Sequence, residues 1–181
     1  MSNATAISTG TWNLDPTHTE IGFSVRHLMS KVRGKFETFE GSLVTADDIS
    51  ASSVSVEVDL SSINTGTPDR DAHLRSSDFF EVETHPKMTF RSTGVTQKSE
   101  TEFVVTGDLT IKDVTKPIDL AVEFLGEGGD PWGGTRVGVE ATGEISRKAF
   151  GIDFNIPVQG DKVMIGDKIS IIVNAEAVLQ A

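Results

Sequence analysis

Apolar and polar residues alternate with period two through most of this chain, and no other feature narrows the possible folds as much. In residues 53–60, Val54, Val56, Val58 and Leu60 are interleaved with Ser53, Ser55, Glu57 and Asp59. Alternation of this kind puts one apolar and one polar face on a strand. The pattern returns at Ile21, Phe23 and Val25; at Phe39 and Leu43; at Met88 and Phe90; and at Phe103, Val105, Leu109 and Ile111. It continues at Ile118, Leu120, Val122 and Phe124; at Val137, Val139 and Ile145; and at Ile169, Ile171, Val173 and Leu179. About eight strands follow, and the chain reads as all-β.

Turn signals separate the runs: Asp15-Pro16, Ala46-Asp47-Asp48, Lys98-Ser99-Glu100, Lys116-Pro117 and the glycine-rich residues 126–134. Connections this short imply antiparallel neighbours. Alternation fails longest over residues 61–86, where residues 68–75 read as a short helix with Thr67 as N-cap and Pro68 in its first position. A second helical turn is expected at residues 28–30. At 181 residues, with no internal linker, residues 11–181 are expected to form one domain behind a flexible segment, residues 1–10.

Eight strands with one apolar face make either a sandwich or a closed barrel, and closure removes exposed edges. Inward parity favours a partly hollow barrel. It places Gly41, Gly107, Ala141, Gly143, Ala175 and Ala177 inside, and small residues facing one interior leave room for a ligand. The alternative is that some of the 10 phenylalanines fill the space opposite those glycines.

Composition excludes several chemistries. The chain has no cysteine, so disulfides, thiolate metal sites and a cysteine nucleophile are absent. A formal charge of -11 argues against nucleic acid and against polybasic docking on membranes. No basic-then-apolar leader is visible near Met1, and no apolar run is long enough for a spanning helix, so a cytoplasmic location is the expectation.

The polar constellations are weak. His18, His27, His73 and His85 lack the spacing that puts two ligands on one face, so no metal is assigned. Arg70, Asp71, His73 and Arg75 could form a catalytic cluster, or could simply complement the helix dipole and pair with nearby carboxylates. Trp12 and Trp132 read as core residues or plugs at the barrel ends. Arg26-His27 closes the first long strand, His27 inward and Arg26 outward; it suits either the polar head of a lipid or a surface salt bridge.

Several words of this sequence match a known family in order. They are Ile21-Gly22-Phe23-Ser24-Val25-Arg26-His27-Leu28, Val32-Arg33-Gly34-Lys35-Phe36, Phe39-Glu40-Gly41 and Ser62-Ile63-Asn64-Thr65-Gly66. Arg70-Asp71-Ala72-His73-Leu74, Asp78-Phe79-Phe80, Pro86-Lys87-Met88-Thr89-Phe90 and Gly107-Asp108-Leu109-Thr110-Ile111 follow, then Val114-Thr115-Lys116-Pro117, Arg147-Lys148-Ala149-Phe150-Gly151 and Val163. From about Thr11 to Leu179 the chain resembles the YceI-like, lipocalin-like polyisoprenoid-binding proteins.

The resemblance implies an extended eight-stranded antiparallel barrel lidded by one or two short helices, holding a polyprenyl chain such as that of an isoprenoid quinone or its precursor. It implies transport or storage, no catalytic residue and no cofactor, and it is consistent with a homodimer. Many members carry a secretion signal, which this sequence does not show. Matching words and parity together make Phe23, Val25, His27, Leu28, Phe36, Phe39, Leu74, Phe79, Phe80, Met88, Phe90, Leu109, Ile111 and Phe150 the expected ligand contacts. The other readings are a fatty acid or fatty amide as ligand, an enzyme acting on an isoprenoid-type lipid through Asp71, His73 and Arg26 or Arg70, and a filled barrel serving as an interaction protein.

Overall fold

A computed structural model describes residues 7–156 and 164–181. Strand segments are β1 (Gly10–Leu14), β2 (Glu20–His27), β3 (Ser30–Phe36), β4 (Phe39–Thr45), β5 (Ser53–Asp59) and β6 (Ile63–Asn64). After helix α1 (Pro68–Arg75) come β7 (Lys87–Gln97), β8 (Glu102–Ile111), β9 (Val114–Gly129), β10 (Thr135–Ser146) and β11 (Ile165–Leu179). All pairings are antiparallel, and β1 meets β11 to close the ring β1-β4-β5-β7-β8-β9-β10-β11.

Eleven segments amount to eight strands because three strands are interrupted. β1 and β2 run consecutively along β11, with Leu14 opposite Ala177 and Glu20 opposite Asn174. β4 and β3 follow beside them, then β5 and β6. Side chains satisfy the backbone groups that each break frees. Asp15 Oδ1 accepts from Thr17 N at 2.9 Å, and Asp59 Oδ1 from Ser61 N at 3.0 Å. Ser62 Oγ accepts from Glu37 N and Thr38 N at 3.1 and 3.0 Å, tying two of the breaks together.

The expected helix forms over Pro68–Arg75 with Pro68 in its first turn. Thr67 caps it through its carbonyl, which accepts from Asp71 N at 2.9 Å, and its hydroxyl makes no capping bond. Two expected turns are overturned. Residues 28–30 are not helical: His27 pairs with Ser30 across a two-residue hairpin in which Leu28 has φ 54°. Lys116-Pro117 lies inside β9, and the turn comes earlier at Lys112-Asp113, both with positive φ as a tight hairpin requires. Pro117 is tolerated because β10 pairs β9 only from Ala121 onward, so its missing N–H costs no ladder bond.

The N-terminal segment is described only from Ile7. Ser8 donates from N and Oγ to Glu127 at 2.6 Å, and Gly10 opens β1. Trp12 is fully buried, with Nε1 donating to Thr45 Oγ1 at 3.0 Å. Trp132, the second expected plug, is 76% exposed in the β9–β10 turn, where Arg136 stacks on it. The described residues contain no helix long and apolar enough to cross a membrane.

Candidate functional site

The barrel encloses a cavity of about 400 Å³, within the usual size of ligand sites, roughly 300–1,000 Å³. Its walls are the inward set of each strand: Ile21, Phe23 and Val25; Val54, Val56 and Val58; Leu109 and Ile111; Ile118, Leu120 and Val122; Ile169, Ile171 and Val173. The inward glycines do not make this space. A Cβ on Gly107 would lie 2.5 Å from the Phe90 ring, one on Gly41 2.7 Å from Leu14 and one on Gly143 2.8 Å from Leu120. Each glycine lets a neighbouring side chain lie flat on the wall, as the alternative reading held for Phe90, and the hollow remains beyond that layer. Ala141, Ala175 and Ala177 do line it.

The cavity is capped by segments outside the ladder. α1 leads into Phe79 and Phe80, and both rings line the cavity. Phe79 packs on His73 and Phe154 with ring centres 5.0 and 5.2 Å apart, and His73 lies 4.9 Å from Phe154. The helix is held to its entry turn by Asp71, whose Oδ1 accepts from Thr65 N at 2.9 Å and Thr65 Oγ1 at 2.5 Å. Arg70 donates to Thr65 Oγ1 and Thr65 O at 2.7 and 2.8 Å. The expected carboxylate partners of Arg70 and Arg75 are not found among the described residues.

Beside the helix, residues 147–156 form a strap anchored by Arg147, a buried residue that sequence reasoning left without a role. Its guanidinium donates to the carbonyls of Gly166 (2.8 Å), Ile152 (3.0 Å), Phe154 (2.8 Å) and Ile165 (3.3 Å). Burial pulls its pKa below the usual arginine value, opposed by the charges of Asp167 and Asp153. Among the described residues, the ionisable side chains lining the cavity are His27, Arg70, His73 and Arg147, with no carboxylate. All four sit toward the end where His27 pairs with Ile165 and where α1 and the strap meet.

The sequence profile of the YceI-like domain matches residues 12–177. The chain belongs to the YceI-like family. A UPF0312 protein of Photorhabdus laumondii is 45% identical over 135 residues, 74% of this chain and 70% of that relative. The crystal structure of the Campylobacter jejuni YceI protein has a TM-score of 0.73 at 30% identity, covering 93% of this chain and 97% of that one. A polyisoprenoid binding domain from Saccharophagus degradans shares the fold, with a TM-score of 0.69 at 17% identity over 96% of this chain and all of that one.

In this YceI-like barrel, Phe23, Val25, His27, Phe36, Leu74, Phe79, Phe80, Met88, Phe90, Leu109, Ile111 and Phe150 line one cavity. Leu28 and Phe39 do not. Leu28 is 48% exposed at the hairpin tip, and Phe39 follows a break between β3 and β4 and packs beside Phe36, Val58 and Leu60. Val163 lies outside the described residues. Of the groups weighed for acid–base work, Asp71 and Arg70 are both engaged with Thr65, His73 Nε2 meets Asp78 Oδ2 at 2.8 Å, and Arg26 is exposed. Asp15, His18 and Glu176 come close enough to share an ion. Arg136 already occupies that position, 2.6 Å from Asp15 and 3.4 Å from Glu176, so the cluster is an ion-pair network.

Proposed function

We propose that this YceI-like barrel binds a long apolar lipid, a polyisoprenoid chain such as that of a prenyl quinone or its precursor, and carries or stores it. The observation that carries this reading is an apolar cavity inside the barrel whose ionisable groups, among the described residues, gather at one end. That arrangement fits a molecule with a long tail and a polar head. The Saccharophagus degradans domain described as polyisoprenoid binding shares the fold and supports the choice of tail.

Each buried methylene contributes about 0.8 kcal/mol, so one five-carbon prenyl unit contributes roughly 3–4 kcal/mol against water. Five or six units reach the practical ceiling of non-covalent affinity, on the order of 20 kcal/mol. The ligand's alternative home is a bilayer, where its tail is already dry. Exchange between bilayer and barrel is then close to neutral, as carriage requires, and binding without turnover suffices.

Native mass spectrometry of freshly purified protein, followed by organic extraction, tests this. A stoichiometric long-chain isoprenoid is the expected result. A co-purifying fatty acid or fatty amide would move the assignment to that ligand in the same cavity. Empty protein that also refuses added prenyl quinones and fatty acids would overturn the carrier reading. Chemical turnover of the bound lipid, lost in His73→Ala, would make the protein an enzyme.

A further inference from the structure

The β2–β3 hairpin carries a charge distribution opposite to that of the whole chain. Four of the 16 basic residues, Arg26, Lys31, Arg33 and Lys35, fall within it, and all four are exposed. Arg26 stands directly opposite Lys31. Like charges facing across a ladder are destabilising. No carboxylate relieves them, because none of the four joins an ion pair among the described residues. On β11 the positions opposite Ser24 and Gly22 are the neutral Ser170 and Ile172, while the bulge beside Arg26 holds Asp167, which accepts from Ser146 Oγ and Lys148 N, and Lys168, which pairs with Glu144. The hairpin's acids, Glu20 and Glu37, stand at its base.

The tip of the same hairpin is apolar and uncovered. Met29 is 96% exposed and Leu28 48%. Leu28 N donates to Met164 O at 2.8 Å, and Met164 N to Ile156 O at 3.0 Å, which brings Ile156, itself 46% exposed, to the neighbouring segment. His27 and Met164 both line the cavity, so this apolar tip stands at the lidded end. A basic face behind an apolar tip matches an anionic bilayer surface, whose phosphates attract the cations while its acyl boundary accepts the tip. The charge of -11 does not forbid this. Charges beyond a Debye length, about 8 Å at physiological salt, are largely screened, so the local patch decides.

We propose that the β2–β3 hairpin docks this barrel on anionic lipid bilayers, with Leu28 and Met29 at the headgroup boundary and the cavity's lidded end facing the membrane. The docking serves the carrier reading, on which its purpose rests, but it is measured without any cavity ligand. Its failure would therefore leave the extraction result standing, and an empty cavity would leave docking standing. The competing account is protection of an edge. β3 pairs β6 only at Lys35 and Phe36, so among the described residues Ser30 to Gly34 have no ladder partner on that side, an edge that charges would guard against strand addition.

Sedimentation of the whole protein with vesicles of phosphatidylcholine mixed with phosphatidylglycerol, against phosphatidylcholine alone, tests the proposal. Binding is expected only to the anionic vesicles and should fade at high salt. The pair Lys31→Gln/Arg33→Gln should weaken it about 25-fold, at about fivefold per charge. Arg91→Gln/Lys98→Gln, which changes net charge equally on β7 and the turn that follows it, should leave it nearly unchanged, and Met29→Ser should weaken it without altering its salt dependence. Equal losses from both charge pairs, wild-type protein that ignores anionic vesicles, or hairpin variants that self-associate yet bind vesicles as before would each overturn it.

Discussion

The two ends of the barrel are closed by different means. At the end where β1 meets β11, the ladder is continuous around the ring and Trp12 is buried inside it, its indole bonded to Thr45. At the other end the closing parts lie outside the ladder. α1, which leads into Phe79 and Phe80, is tied to its entry turn by Asp71 and Arg70, and the strap through Phe154 is tied mainly by the side chains of Arg147, Asn155 and Asp167. A wall made of ladder bonds opens only by unfolding, whereas a cap tied by a few side-chain bonds opens at much lower cost. Under the carrier function proposed above, a bound lipid would therefore exchange at the lidded end.

Trp12→Ala has the largest expected effect, because it removes a fully buried ring from the permanent end. A loss of about 4 kcal/mol in global stability is expected from denaturant unfolding, with no gain in ligand exchange before unfolding. Arg147→Met acts at the other end and strands four carbonyls that the guanidinium satisfies. It should cost about 3 kcal/mol, and limited proteolysis should show new cleavage confined to residues 148–156. Cleavage spread evenly along the chain would mean that the strap is no separate unit.

This contrast between the ends was only partly legible in the sequence. Alternation at residues 53–60 and 103–111 announced strands, and parity alone turned His27 inward and Arg26 outward, because a strand's faces follow from a period of two. Parity fails wherever the chain leaves the ladder: Leu28 sits in a left-handed turn, and Phe39 restarts a strand after a break whose register no local pattern encodes. Arg147 shares the parity of Ile145 and so should point inward, a signal that was available. What the sequence could not show is that four distant carbonyls converge on it. The glycines misled for a related reason: a missing Cβ records closeness to something, and only the fold says whether that is a cavity or a Phe90 ring.

Asp71→Ala loosens the lid while leaving the ladder intact. Two hydrogen bonds to a carboxylate are lost, so a cost of about 2 kcal/mol is expected, together with faster release of a bound prenyl lipid to acceptor vesicles. An engineered crosslink pinning residues 61–86 to the barrel should do the reverse and block loading. Unchanged release in both variants would show that the lid is as fixed as the Trp12 end.

The smallest expected effect lies on the wall between the ends, where β1 gives way to β2. Asp15 accepts bonds there from Arg136, Thr17 and His18, and the Arg136 guanidinium above all holds its carboxyl well below the usual carboxylate range. A depressed folded-state pKa means that the charged form stabilises the fold above the unfolded value, near 4, and that this contribution is lost as pH falls toward the folded value. Asp15→Asn should therefore cost on the order of 1 kcal/mol at neutral pH and less as the solution is acidified, because the wild type forfeits the same contribution. Melting curves of the two proteins taken from neutral pH down through the acid range should converge. A constant separation would mean that Asp15 acts through the shape of its turn, with Asn failing to reproduce it, and that charge does not hold the two halves of the interrupted strand in line.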